Sequence, residues 1–434
     1  MPAKLWFVAG LNKWKSMSRL PADVDIVVIG AGAAGLGAAQ RLATEPVSFL
    51  VLEARDRPGG RGHSILSAGG VLDLGCGWLH SANRNPLVAQ AERFGFTIDR
   101  APPPWMRQAF DLNFPQEEQR AYRDAFEAFE ARLDAAASGP DRPAAELMEP
   151  NGRWNAMLDA FSGYYNGAPF SDVSVHDYAA YDDSGVNWRV REGYGTAIAA
   201  LAQDAPIAYG EAAAKLDHSG LRLRVDAPGG LVTAHAAIVC LPSTVIAEER
   251  FVFDPPLPTK RAAADALPLG NVEKAFLALA EPDAFPTDSH LYGRLDTALT
   301  PSFHLRPLNH PVVECFFGGA LAKSLEGEGQ GAFAASAIET LVDLLGSDIR
   351  RKLSPLAETS WTADPLTRGA YSHARPGFAH MRKVLAEPVE DRIFFAGEAC
   401  SEHAFSTAHG AYETGLAAAE AALGALRVKG LARP

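Results

Sequence analysis

The feature that most constrains this chain is the apolar run Asp25-Ile-Val-Val-Ile-Gly30, continued by Gly30-Ala-Gly32-Ala-Ala-Gly35. An unbroken apolar run ending in glycine reads as a strand buried on both faces of a parallel sheet. Ala31 to Ala43 then carry small residues in a helical pattern, and Val47 to Leu52 form a second apolar run that ends at Glu53. The three glycines have separate roles. Gly30 permits a tight turn, Gly32 lets a pyrophosphate approach the backbone, and Gly35 lets helix and sheet pack closely. The helix N-terminus offers N–H donors and a partial positive charge. Glu53 is placed to accept from ribose hydroxyls. The bland alternative is a glycine-rich turn in an unrelated α/β fold.

The loop after Glu53 narrows the dinucleotide. It reads Ala54-Arg55-Asp-Arg57-Pro-Gly59-Gly60-Arg61. A second glycine pair with an arginine is foreign to a plain nicotinamide domain. It suits a longer cofactor whose pyrophosphate and ribityl chain cross this loop, which is FAD. A solvated surface arginine is the alternative for Arg61.

Composition excludes other classes. A chain of 434 residues with a net charge of −12 lacks the basic balance that nucleic acid requires. The four cysteines, Cys76, Cys240, Cys315 and Cys400, are far apart and form no CxxC or Cys/His cluster. Neither a disulfide framework nor a metal site is expected, and a reducing cytoplasm is the default setting. No apolar stretch reaches the roughly 18 residues of a membrane span. Lys4, Leu5 to Ala9, Lys13 and Lys15 resemble a signal peptide only faintly, and a disordered tail or a true start at Met17 reads better.

Further along, 116–137 has apolar residues at helical spacing, and Pro and Gly clusters punctuate 86–190, which reads as a mainly helical module. Residues 207–254 read as a β-meander, with Leu221, Leu223 and Val225 alternating with Arg222 and Arg224. Val272 to Leu279 is a strand candidate, 331–346 a helix, Arg392 to Gly397 a last buried strand, and Ala408 to Leu426 a long helix. Sheet partners are spread over the whole chain, so interleaved domains are expected. Lys274, among Val272, Phe276 and Ala278, is unusual in an apolar strand; the alternative is an edge-strand lysine that limits aggregation. His80 by itself reads as structural.

Several separated motifs, in order over about 25–427, resemble the flavin-containing amine oxidases, which include monoamine oxidases, polyamine oxidases and lysine-specific histone demethylases. They are Gly59-Gly60-Arg61; Leu72-Asp73-Leu74-Gly75-Cys76-Gly77-Trp78-Leu79-His80 with Asn85-Pro86-Leu87; Gly270-Asn-Val-Glu-Lys274; Trp361-Thr-Ala-Asp364-Pro365 with Gly369-Ala370-Tyr371-Ser372; and Ala396-Gly397-Glu398 with Thr407-Ala408-His409-Gly410-Ala411-Tyr412 and Gly415. The resemblance implies an α/β fold: a Rossmann-like FAD-binding domain of the GR2 type interleaved with an α+β substrate-binding domain. The boundaries read as an N-terminal tail 1–24, a cofactor domain of 25–85, 191–268 and 358–434, and a substrate domain of 86–190 and 269–357.

The same resemblance implies the site. Gly30, Gly32, Ala33, Ala34, Gly35, Glu53, Ala54, Arg55, Gly60, Arg61, Gly77 and Trp78 would hold the cofactor. So would Ala213, Trp361, Tyr371, Gly397, Glu398, Thr407 and Ala408. Lys274 would hold a water beside flavin N5, Tyr371 would form one wall of an aromatic cage, and His80 would touch the substrate amine. The 408–426 helix would aim its N–H groups at the flavin and stabilise negative charge there. Ala370 stands where some monoamine oxidases carry a flavin-linking cysteine, so FAD is expected to be non-covalent. Thr407 stands where many members have the second cage aromatic, with Phe405 near but out of register, so the cage reads as half-built. Trp105, Trp154, Tyr164, Tyr165 and Trp188 are available to line the cavity. The C-terminal membrane tail of mitochondrial members has no counterpart before Pro434.

The expected reaction is hydride transfer from the carbon beside an amine nitrogen to flavin N5, then imine hydrolysis to aldehyde or ketone. Oxygen would reoxidise the flavin and give hydrogen peroxide. The expected partners are a small amine and either O2 or an electron-carrier protein, with no nucleic acid or membrane; a homodimer stays open. Rival readings are a related flavin desaturase or oxidase with a non-amine substrate, a non-catalytic flavoprotein scaffold and, more distantly, a nicotinamide dehydrogenase.

Overall fold

The computed structural model describes residues 20–431 except 107, 111 and 113. The N-terminal segment with Lys4 to Lys15 lies outside the described residues.

Two sheets organise the chain. The larger has eight strands. Its parallel part joins Asp23–Ile29, Phe49–Glu53, Ile207–Tyr209, Gly230–Val239 and Ile393–Phe395. The strands Leu223–Ala227, Lys215–Asp217 and Val252–Asp254 extend it beside the first half of Gly230–Val239. Asp23–Ile29 sits in the middle and is buried on both sides, as its apolar run demands. Ile26 and Val28 face one core, and Val27 and Ile29 the other. Each fully buried Val or Ile contributes roughly 1.5–3 kcal/mol.

The helices Ala33–Leu42 and Ala408–Val428 cover one face of this sheet. They cross where side chains vanish. A Cβ on Gly415 would lie 1.9 Å from the Ala34 carbonyl oxygen, and one on Gly37 would lie 2.5 Å from that of Tyr412. This close crossing brings the N-termini of both helices to the same edge of the sheet.

The second sheet is antiparallel, in the order Ser289–Tyr292, Ser302–Leu305, Val312–Gly318, Val272–Leu279, Leu353–Glu358. Alternation divides its faces. Ala275, Cys315, Phe303 and Leu291 turn into a core with helix Ala332–Leu345. In register, Lys274, Phe316, Ser302 and Tyr292 form one row of the other face, and Phe276, Glu314, His304 and His290 the next. Val272–Leu279 has neighbours on both sides. The edge-strand reading of Lys274 is therefore wrong.

Residues 86–190 supply helices Pro86–Arg93, Gln116–Ala136, Asn155–Tyr165 and Val175–Ala180, plus one two-residue pairing of Ile98–Asp99 with Arg189–Val190. Smaller differences concern boundaries. The first helix starts at Ala33 and the second strand at Phe49. The meander strand starts at Leu223, leaving Leu221 96% exposed. Alternation alone did not reveal that Leu221 precedes the first pairing partner. Among the described residues, no helix is long and apolar enough to cross a membrane.

Candidate active site

One cavity of about 1220 Å³ runs from the glycine turn to the helical module. At its first end Gly30 has φ +100°, which suits glycine, and a Cβ on Gly32 would meet nothing within 4 Å. That opening beside the N-terminus of Ala33–Leu42 is a cradle for a pyrophosphate. Gly60 closes its far side, where a Cβ would lie 3.2 Å from the Gly32 Cα. Ala33, Ala34, Ala54 and Ala213 add small walls. Gly35 does not line the cavity. A Cβ there would lie 1.8 Å from the Gly30 carbonyl oxygen, so its role is the helix–sheet contact.

Glu53 is buried, and each carboxylate oxygen accepts one backbone N–H: Oε2 from Ala31 at 2.7 Å and Oε1 from Arg55 at 2.8 Å. Burial raises its pKa, opposed by those two bonds. Each oxygen keeps a second acceptor site for a ribose hydroxyl. Arg55 lines the cavity too, and its side chain pairs with Asp364 at 2.6 Å.

Arg61 is a clamp between distant segments. Its Nη1 donates to the Ala370 carbonyl at 2.6 Å and to Glu398 Oε1 at 3.0 Å. Glu398 Oε2 accepts from the Ser372 hydroxyl at 2.6 Å and from Ser406 N at 3.0 Å. Burial would raise the Glu398 pKa, but Arg61, Ser372 and Arg382 hold it below the usual carboxylate range. Glu398, expected to hold the cofactor, lines the cavity and also fixes Arg61. Ser372 also receives Arg382 Nη1 at 2.9 Å, and Arg382 pairs with Asp177 at 2.5 Å, both fully buried. This chain of bonds locks the helical module to the closing segment.

Gly77, Trp78, Trp361, Gly397, Thr407 and Ala408 line the middle of the cavity. Trp361 donates to the Leu74 carbonyl at 3.1 Å. Its turn is held by the buried Glu273, which accepts from Trp361 N at 2.6 Å. Burial pushes the Glu273 carboxyl up to about 7. Thr407 caps the 408–428 helix by accepting from Gly410 N at 3.0 Å, so that helix begins at the cavity wall.

Lys274, Tyr371 and His80 all reach this cavity. Lys274 Nζ donates to the Asp73 carbonyl at 3.0 Å and to Glu314 Oε1 at 2.8 Å. Tyr371 donates its hydroxyl to the Tyr164 carbonyl, and burial raises its pKa. His80 Nδ1 lies 2.7 Å from Asn187 Oδ1, while the Asn187 amide donates to the Gly185 carbonyl. That orientation assigns the proton to Nδ1 and leaves Nε2 as an acceptor. Burial lowers the His80 pKa, which favours the neutral ring.

Phe405 also lines the cavity, stacked under Arg382 at 3.8 Å and edge-on to Tyr181 at 5.3 Å. Phe405, out of register in the sequence, thus reaches the same cavity as Tyr371. Of the other aromatics, Trp105, Tyr164 and Tyr165 line the cavity. Trp154 packs instead against Phe114 and Tyr122, and Trp188 lies under Arg100.

The family description "Flavin containing amine oxidoreductase" matches residues 33–162 and 136–423. The chain belongs to this family. FAD is its cofactor, and the dinucleotide turn, Glu53 and the two helix N-termini fit that group. Polyamine oxidase 2 of Arabidopsis thaliana is 28% identical over 91% of this chain and 87% of its own length. The Arabidopsis thaliana lysine-specific histone demethylase 1 homolog 2 is 27% identical over 90% of this chain and 57% of its own length. A putrescine oxidase structure, bound to putrescine, superimposes with a TM-score of 0.76 at 18% identity, covering 93% of this chain and 99% of that one. The fold is therefore that of a flavin amine oxidase, and the desaturase and scaffold readings are not favoured.

Sequence reasoning missed Glu314, His304 and Phe316. They lie on strands far from Lys274 in sequence, and only strand register brings them to its side. Glu314 had no local motif to mark it.

Proposed function

We propose that this enzyme oxidises a small amine with more than one cationic nitrogen, of the diamine or polyamine class. The observation that carries this reading is the single cavity joining the dinucleotide turn to a carboxylate-bearing helix. Glu127, Glu130 and Asp134 of helix Gln116–Ala136 all line it, and their spacing puts them on one helical face. Burial, then Asp134 and Glu127, raises the Glu130 pKa. A cationic ligand relieves that repulsion. The names of the relatives, polyamine and putrescine oxidases, support the same class.

Bound FAD supplies the acceptor for the hydride equivalent that leaves the carbon beside nitrogen. The protein's part is positioning. The carboxylates hold the distal ammonium, while Tyr371 and Phe405 confine the reacting end. The reacting amine must be uncharged, and His80 Nε2 is available to accept its N–H. The imine is then hydrolysed to a carbonyl compound and an amine. Oxygen is the final acceptor, giving hydrogen peroxide, and FAD is held without a covalent bond. The cofactor domain comprises 25–85, 191–268 and 358–434, and the substrate domain 86–190 and 269–357. A cytoplasmic setting is consistent with four unpaired cysteines.

The test is anaerobic mixing of the yellow protein with spermidine, putrescine and benzylamine, followed in parallel by peroxide release in air. Flavin bleaching by spermidine or putrescine at lower concentration than by benzylamine is expected. Bleaching by none of the three would sink the amine reading.

A further inference from the structure

The cavity face of the second sheet carries a line of charge. Lys274 Nζ lies 2.8 Å from Glu314 Oε1, and Glu314 Oε2 lies 3.7 Å from His304 Nδ1. His304 Nε2 lies 3.3 Å from Asp288 Oδ1, without the alignment of a hydrogen bond. Asp288 pairs with Arg189 at 2.8 Å, and Arg189 with Asp99 at 2.8 Å. Arg191, which is half exposed, ends the line against Asp99 at 3.1 Å.

This arrangement exceeds what packing needs. The opposite face of the same strands is apolar, and a buried ion pair is seldom a net stabiliser over apolar residues of equal size. Lys274 has three N–H donors, and two are spent on Asp73 and Glu314. The third is left for the cavity that Lys274 lines. Glu314 is engaged at both oxygens. Burial opposes its charge, yet Lys274 and His304 hold it at about 2, so it stays ionised at neutral pH.

We propose that Glu314 and His304 are positioning residues that set the site and the net charge of the Lys274 ammonium beside the flavin. The proposal rests on the reading that the flavin ring lies against Lys274. Glu314 compensates Lys274, so the pair is neutral, and His304 holds the second oxygen of that carboxylate. Without the Glu314 charge the cavity wall gains one positive charge. A positive wall favours the more electron-rich, reduced flavin.

The groups facing His304 are Glu314, Asp288, the neutral His290, and the Trp78 ring, stacked at 6.2 Å with Arg189 on Trp78. Those facing Lys274 are Glu314, the Phe316 ring, Asp73 and Cys76. Burial first, then Asp73, pushes the Cys76 thiol up to about 12, which keeps it neutral. His304 is therefore placed between two carboxylates, Glu314 and Asp288.

The test is the reduction potential and visible spectrum of the bound flavin, measured on the intact holoprotein. His304→Gln is expected to move both away from wild type, because Glu314 loses the partner of its second oxygen. Glu314→Gln is expected to sit above wild type in potential, and Glu314→Asp to return toward it. If Glu314→Gln fails to retain flavin, His304→Gln and Glu314→Asp decide. A His304→Gln protein whose potential and spectrum follow wild type overturns the proposal. A wild-type protein that binds no flavin overturns the cofactor reading instead.

Discussion

Two regions of the cavity recognise their contents by different means. At the glycine turn the contacts are made by backbone: the open space over Gly32, the helix N-terminus at Ala33, and the N–H groups that fix Glu53. At the second sheet the contacts are made by side chains from separate strands, Lys274, Glu314 and His304. Backbone recognition requires particular residues at adjacent positions, so it leaves a local signature. Side-chain recognition requires only a register, which leaves none.

The joint between the helical module and the closing segment gives the largest expected effect. Removing the carboxylate from Asp177 leaves Arg382 buried and unpaired, a loss of about 3–5 kcal/mol. Denaturant unfolding of Asp177→Ala measures it, and a change below about 1 kcal/mol would show that the two halves are not locked there.

Next comes the turn. Gly32→Val fills open space and not a packed contact, so the apoprotein should melt as wild type does while FAD affinity falls roughly a hundredfold, about 2.7 kcal/mol. Gly35→Val, which drives side-chain atoms into the Gly30 carbonyl, should instead lower the melting temperature. Differential scanning fluorimetry with and without FAD separates the two. Equal melting losses in both would erase the distinction between cradle and packing glycine.

Lys274→Met tests the second sheet. The protein should remain yellow, but amine-driven flavin reduction should slow about tenfold or more, roughly 1.4 kcal/mol of barrier. Stopped-flow absorbance is the measurement. An unchanged rate would make the charged row structural only.

Acid sharpens the same point. Glu314 is held at about 2 in the fold against a free value of 4.5, so its contribution is complete above about pH 4.5 and fades as pH falls toward 2. The stability gap between wild type and Glu314→Gln should narrow across that window. A gap constant with pH would mean that Glu314 is not held as a charge.

The smallest effect belongs to the acidic helix. Glu130→Gln should raise KM for a polyamine about threefold, near 0.7 kcal/mol, and leave KM for a monoamine unchanged. Steady-state kinetics on the two substrates decides it.

Local chemistry was legible from the chain alone. The strand–turn–helix at Gly30 to Gly35, the acid at Glu53 and the Gly59-Gly60-Arg61 loop announced a flavin site, because each rests on residue type at fixed spacing; Trp361, Tyr371 and Glu398 were placed there by the family resemblance. The position of Lys274 in an interior strand, its ion pair with Glu314, the bond of Glu398 to Arg61 and the place of Phe405 on the cavity wall came only with the folded chain. Sequence determines which residues can make a backbone turn or fill a core. It does not determine which distant strands meet, because that is set by the packing of all of them together.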